Sequence, residues 1–314
     1  MYINRFGRNA FVIVFLMIIL FIAPQKGGAQ PATGSVVRNI FVPADAPAMA
    51  QTDSNIDNET NVVAPAPMQR NSYSPRTEST SVMNGDVETI TVNGVSFNII
   101  HVKGGSFRMG GTEEQGSDVE NNEMPVHNVS VGDFCIGETE VTQELWEAVM
   151  GGNPSKTLGP QMPVECIRYV DCESFFFKLN FLTNRNFRLP TEAEWEFAAR
   201  GGNKSRHTKY SGSDDFDAVA WYCNNSGNVT HNVKQKAPNE LGLYDMSGNV
   251  DEWCADSYSL YPETPRNNPR NNEGNEKIRR GGGCLDFAKH LRVSDRRSCS
   301  ATIWNYDIGF RLAE

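Results

Sequence analysis

The chain has 314 residues, with 29 Lys and Arg against 38 Asp and Glu, a net charge of −9. That acidity argues against nucleic acid or an anionic membrane surface as the partner, and the length suits one large domain with an ordinary core. Seven cysteines (Cys135, Cys166, Cys172, Cys223, Cys254, Cys284 and Cys299) include no CxxC pair and no Cys/His cluster at zinc spacing.

Arg5 and Arg8 precede an unbroken apolar run from Ala10 to Ala23, followed by the small residues Gly27, Gly28 and Ala29. This pattern predicts a secretory signal peptide over residues 1–29. The apolar run is shorter than the roughly 20 residues that span a bilayer, so cleavage near Ala29 or Gln30 is expected rather than a membrane anchor. The expected product is periplasmic or secreted, with no membrane span, in a compartment where disulfides are permitted.

Residues 30–87 are rich in Pro, Ala, Asn, Ser and Thr and carry Phe41 and Tyr73 as their aromatics. Such a segment cannot bury enough apolar surface to offset its ordering entropy, which predicts a flexible linker. The folded domain is expected over 88–314. It opens with Ile90, Val92, Val95, Phe97 and Ile99 alternating about Asn93-Gly94, a strong hairpin signal.

Three helices follow. Thr142 is placed to cap Gln143–Met150, with Leu145, Trp146 and Val149 on one face. Asp171 is read as the cap of a second helix, in which Cys172, Phe175, Phe176, Leu179 and Leu182 fall at helical spacing. The third runs from Pro190 to Gly202, with Thr191 and Glu194 as a capping box and the Gly201-Gly202 pair as its stop. The remainder is dense in Gly, Asn, Asp, Pro and Ser. Metal ions, disulfides or buried polar networks must hold so much irregular backbone together.

Several segments in this order carry a family signature: Gly105-Ser106-Phe107-Arg108-Met109-Gly110, Glu123-Met124-Pro125-Val126-His127, Glu140-Val141-Thr142 and Phe187-Arg188-Leu189-Pro190-Thr191-Glu192-Ala193-Glu194-Trp195-Glu196. They continue with Pro238-Asn239-Glu240-Leu241-Gly242-Leu243-Tyr244-Asp245-Met246-Ser247-Gly248-Asn249-Val250, Arg280-Gly281-Gly282-Gly283 and Gly309-Phe310-Arg311. The series resembles the formylglycine-generating enzyme, or sulfatase-modifying factor, family across the folded region. The resemblance implies an α+β fold, C-type lectin-like and low in regular secondary structure. Active members oxidise a sulfatase cysteine to formylglycine with oxygen and a copper(I) ion held by two cysteine thiolates, the soft ligands that copper(I) prefers.

Carried onto this chain, the two copper positions fall on Asp286 and Leu291. Neither supplies a thiolate, so copper is not expected and no catalytic residue is assigned. The expected function is a non-catalytic binding or structural module with a protein or glycan ligand. The alternative is a formylglycine-generating oxidase with rearranged ligands. The resemblance also implies a calcium loop, with the Asp245 and Glu252 side chains and the Gly248 and Val250 carbonyls as ligands. There the family's usual Trp is replaced by Asp251, a third carboxylate near that loop. Because the segments ending in Cys254 and starting at Cys284 meet in the family's fold, a Cys254–Cys284 disulfide is expected. Arg292, Arg296 or Arg297, and Arg311 fall where the family has basic residues and are read as a structural salt-bridge and carbonyl-binding network.

Overall fold

The computed structural model describes residues 79–314. The expected signal peptide and residues 30–78 of the expected linker lie outside them. The end of that linker is not open chain: Ser79–Asn84 forms β1, antiparallel to β2 at Val87–Val92. The side chains of β1 are almost all exposed, so backbone pairing rather than burial holds the strand, and apolar periodicity could not reveal it.

Asn93 and Gly94, at φ 49° and 83°, turn the chain into β3, Val95–Val102. Two consecutive left-handed residues match the twist of the flanking strands, as the Asn-Gly pair predicts. Next come β4 at Gly105–Met109, β5 at His127–Val131 and β6 at Phe134–Gly137. One sheet runs in the order β1-β2-β3-β6.

Helix α1, Gln143–Met150, starts as expected, with Thr142 Oγ1 accepting the Leu145 N–H and Gly151 closing it at φ 84°. Helix α2, Tyr169–Thr183, begins two residues before the expected cap. Arg168 is its first flanking residue; Asp171 sits inside the first turn and accepts the Arg168 N–H at 2.8 Å. Helix α3, Glu192–Ala199, has the expected capping box: Thr191 donates its N–H to Glu194 at 2.8 Å and accepts the Glu194 N–H at 3.1 Å.

Between α3 and residue 251, one 3-10 turn and the four-residue α4, Phe216–Val219, are the regular elements among the described residues. Strands β7 (Asp251–Ser257), β8 (Arg266–Asn267), β9 (Glu276–Arg280), β10 (Arg296–Ser300) and β11 (Ile308–Gly309) complete the fold. They give a sheet in the order β10-β9-β7-β11 and a smaller one, β4-β5-β8. The fold is mixed α+β. Among the described residues no helix is long and apolar enough to cross a membrane.

Two apolar clusters anchor these layers. In the first, Trp146 of α1 stacks on Phe175 of α2 at 5.3 Å, and Phe310 meets Trp146, Phe175 and Phe176 edge-on. In the second, Trp195 and Phe197 of α3 pack with Val129, Ile136, Leu243 and Ile278. Phe310 and Trp195 are wholly buried. Burying a side chain of this size stabilises the fold by about 1.5–3 kcal/mol, and the aromatic geometry adds to that.

Candidate functional site

Strand β7 and the turn after β9 bring together the residues that the sequence singles out. Asp286 holds its backbone turn by accepting the Gly283 N–H at 2.8 Å. Its carboxylate receives both ends of the Arg297 guanidinium, at 2.7 and 2.6 Å. Arg297 also donates to Asp251 at 2.7 Å, and Arg279 approaches the same Asp251 oxygen at 2.7 Å. Asp251 therefore faces these arginines and is not a third carboxylate of the expected calcium loop. Its sequence position next to Glu252 misleads because successive strand residues point to opposite faces.

Buried beside this network lies Asp307, whose backbone carbonyl accepts the Asp251 N–H at 2.7 Å. Burial, followed by the charges of Asp251 and Asp286, raises its carboxyl from 3.8 to about 6. One oxygen each of Asp251 and Asp307 has no hydrogen-bond partner. Leu291, at the second copper position, is fully buried hydrocarbon. A carboxylate tied to arginine and a leucine cannot supply the soft pair that copper(I) requires. The residues do not fit that ion.

The nearest sulfurs do not replace it. Burial raises the Cys254 thiol well above its ordinary value and pushes Cys284 up to about 12, with Asp307 adding to the latter. Both are thus held protonated, whereas metal binding needs the thiolate. The expected Cys254–Cys284 disulfide does not form, and all seven cysteines are free. The reason is register. Cys284 donates its N–H to the Asn249 carbonyl, just ahead of β7, whereas Cys254 lies well inside the strand. The three steps from Asp251 to Cys254 alone cover about 10 Å, and a disulfide tolerates about 7 Å between alpha carbons.

The expected calcium residues Asp245, Gly248, Val250 and Glu252 are all buried. Glu252 accepts two N–H groups of Arg311, at 2.6 and 2.7 Å, and the indole N–H of Trp195 at 2.8 Å. Asp245 accepts the Lys234 N–H at 2.9 Å. Gly248, at φ 85°, lies with its backbone so close to Trp221 that a Cβ would fall 2.4 Å from the Trp221 carbonyl oxygen. Sequence reasoning missed Glu140, which is fully buried. It accepts the Val250 N–H at 2.9 Å and the Asn249 amide at 2.7 Å. Its place in the Glu140-Val141-Thr142 segment was the available signal. Among the described residues no three His, Cys, Asp or Glu side chains form a metal-holding group.

The remaining signature residues are structural. Arg292 grips Glu123, and Arg296 grips Glu192, each through two hydrogen bonds of 2.6 to 2.8 Å. His127 lies over Tyr261, with ring centres 4.7 Å apart, and shares a hydrogen bond with the Pro125 carbonyl. Exposed large apolar side chains flank the Asp286–Arg297 network along the chain. Phe287 follows Asp286; Ile303, Trp304 and Tyr306 precede Asp307.

This geometry has known counterparts. The family model described as "Sulfatase-modifying factor enzyme 1-like domain" matches residues 86–314. A chaperone protein, LppX, of Paenibacillus barcinonensis is 35% identical over 268 residues, covering 69% of this chain and 89% of its own. A formylglycine-generating enzyme of Streptomyces coelicolor is 27% identical over 285 residues, covering 68% of this chain and 88% of its own. Among solved structures, Treponema denticola variable protein 1 has 31% identity and a TM-score of 0.65, over 75% of this chain and 98% of that one. PvdO from Pseudomonas aeruginosa, at 24% identity and TM-score 0.60 over 69% and 93% of the two chains, shares the fold.

Asp307 gives this site a pH signature. With its folded value raised from 3.8 to about 6, the native chain keeps a proton that the unfolded chain releases. Its contribution to stability therefore falls as pH rises from about 4 to about 6 and stays low above that window. Asp307→Asn cannot ionise and removes this decline. The melting temperature of the variant relative to the parent should rise between about pH 4 and pH 7; a difference independent of pH would contradict the assignment.

Proposed function

The chain belongs to the sulfatase-modifying factor enzyme 1-like family, and from that premise we propose that it is an exported, non-catalytic module that binds a protein partner. The observation that carries the first half is the ion pair between Asp286 and Arg297. It stands where active members hold a copper thiolate. A carboxylate in a bidentate arginine pair resists exchange for any other ligand. The signal-peptide pattern of residues 1–29 supports export.

The second half rests on the aromatic loop between β10 and β11. Trp304, Tyr306 and Ile303 are exposed, yet their backbone is fixed: the Cys166 N–H donates to the Asn305 carbonyl at 3.0 Å, and Ile303 N–H to Ser300 at 3.0 Å. Lys156 lies 4.0 Å above the Tyr306 ring. Beside Trp304 is a groove of about 490 Å³ lined by Trp146, Met150, Pro154 and Ile167 together with the Arg168–Asp171 ion pair. Preordered exposed aromatics beside a partly apolar groove are the kind of anchor from which protein interfaces draw much of their energy. The chaperone named among the relatives supports a protein rather than a glycan as the partner.

A calcium ion in the 245–252 loop forms part of this reading. The Gly248 and Val250 carbonyls are buried and receive no hydrogen bond from the described residues. Glu140, Asp245 and Glu252 outnumber the one guanidinium, Arg311, among them. Unpaired carbonyls and surplus buried carboxylates suit a hard divalent cation.

Three outcomes test the proposal. Incubated with copper(I), oxygen and a peptide bearing Cys-x-Pro-x-Arg, the protein should leave the cysteine unmodified; copper-dependent aldehyde would establish the oxidase with rearranged ligands instead. The protein should suppress aggregation of a denatured model polypeptide, and Trp304→Ala together with Tyr306→Ala should remove most of that effect. Undiminished suppression, or binding confined to glycans, would overturn the protein-binding face. Calcium at a hundred times its Kd should stabilise the native state by about 2.7 kcal/mol, read as a melting temperature lowered by chelator. Asp245→Asn should erase that difference, and an unchanged melt in metal-stripped parent protein would exclude the ion.

A further inference from the structure

Between β7 and β9 the chain makes a long excursion containing a tandem, Pro265-Arg266-Asn267-Asn268 followed by Pro269-Arg270-Asn271-Asn272. One asparagine in each copy is a clip. Asn268 accepts the Gly132 N–H at 2.7 Å and donates its own N–H to Ser130 at 2.8 Å. Asn271 donates its N–H to Asp256 at 2.7 Å and its amide to the Ser257 carbonyl at 2.9 Å. Arg266 is further held by the pairing of β8 with Val129 of β5. The backbone carrying both arginines is thereby anchored at each end.

Among the described residues, neither arginine side chain has a hydrogen-bond partner or a carboxylate at ion-pair distance. Every arginine among the described residues has a carboxylate at ion-pair distance except Arg108, Arg266 and Arg270. Arg266 and Arg270 line the same cavity, of about 390 Å³. The carboxylates within it are already committed. Glu192 is held by Arg296, and Asp256 accepts the Glu192 and Asn271 N–H groups. Burial, with a smaller contribution from Arg270, holds Lys277 below the ordinary lysine range, and its ammonium contacts a Ser257 hydroxyl. The rest of the lining includes an apolar wall of Leu260, Tyr261, Pro262 and Pro269.

We infer that this cavity binds a small organic oxyanion, with its carboxylate, sulfate or phosphate group on Arg266 and Arg270 and its apolar body against Leu260 and the two prolines. Guanidinium forks match the planar and tetrahedral oxygens of such groups, and the volume is that of a small-molecule site. In a chain of net charge −9, two arginines on an anchored backbone, without a carboxylate partner among the described residues, form a local exception to the overall charge. The site does not depend on the Trp304 face.

Titration calorimetry of the purified full-length protein with phenyl phosphate, phenyl sulfate and benzoate tests this, with inorganic phosphate and neutral benzyl alcohol as controls. At least one aryl oxyanion should bind more tightly than inorganic phosphate, while benzyl alcohol should not bind; the three probes rank the acid groups. Arg266→Gln and Arg270→Gln should each weaken binding about tenfold or more, the loss of one charge-assisted pair. Trp304→Ala should leave it unchanged. Both arginines are exposed, and unchanged circular dichroism would verify the fold of the variants. Failure of all three aryl oxyanions to bind, equal binding of benzyl alcohol, or full affinity in the double variant would overturn the inference.

Discussion

Arg311 is wholly buried, and its guanidinium is shared among four partners: both oxygens of Glu252 and the carbonyls of Gly137 and Tyr244. Taking a guanidinium and a carboxylate out of water costs several kcal/mol per ion, and only a fully hydrogen-bonded geometry offsets that cost. The requirement is what makes the pair organise the fold. Four otherwise separate pieces of chain must meet at fixed positions, or a charge is left uncompensated, at a cost of about 3–5 kcal/mol. Arg292 with Glu123, Arg296 with Glu192 and Arg280 with Glu196 and Glu192 repeat the device. In each, an arginine late in the chain secures an acid from its earlier part. The long irregular stretches can then exist without ladders, because their positions are fixed by buried ion pairs.

How much of this was legible depended on whether the cause was local. The β2–β3 turn is written in Asn93-Gly94, and the starts of α1 and α3 in Thr142 and Thr191, since each is decided within a few residues. Asp171 shows where local reading blurs. A carboxylate near a helix start can cap the first flanking residue or be its partner one turn in, and the structure takes the second option. Strand β1 left no trace, because an exposed edge held by backbone pairing needs no apolar pattern. The Cys254–Cys284 pairing failed for a related reason. Two segments can be neighbours while a strand register keeps their sulfurs apart. Glu140, Arg279 and Asp307 enter the site through tertiary contacts that no spacing rule encodes.

The copper positions show how a family fold is maintained after its redox ligands are gone. Replacing one thiolate by Asp286 and the other by Leu291 could have left a buried acid unpaired. Instead Arg297 joins Asp286 to Asp251, which itself stands in place of the family's tryptophan and also receives Arg279. Each aspartate has an arginine of its own, Arg297 for Asp286 and Arg279 for Asp251, and Arg297 joins the two pairs into one network. Its remaining unpaired oxygens, on Asp251 and Asp307, leave the network incomplete, with charge still to be balanced.

Strand β11 has a consequence for the order in which the molecule assembles. It lies parallel to β7, and the segment around it hydrogen-bonds to Val141, Gly137, Arg188 and Cys135. Phe310 of the same segment closes the stack of Trp146, Phe175 and Phe176. A chain leaving the ribosome amino end first can form the β2–β3 hairpin and its helices early. The aromatic core between them nevertheless stays open to water until the residues near 310 arrive, more than a hundred positions later. Contacts of such sequence separation form slowly. The aromatic stack between α1 and α2 can therefore be completed only once Phe310 is present.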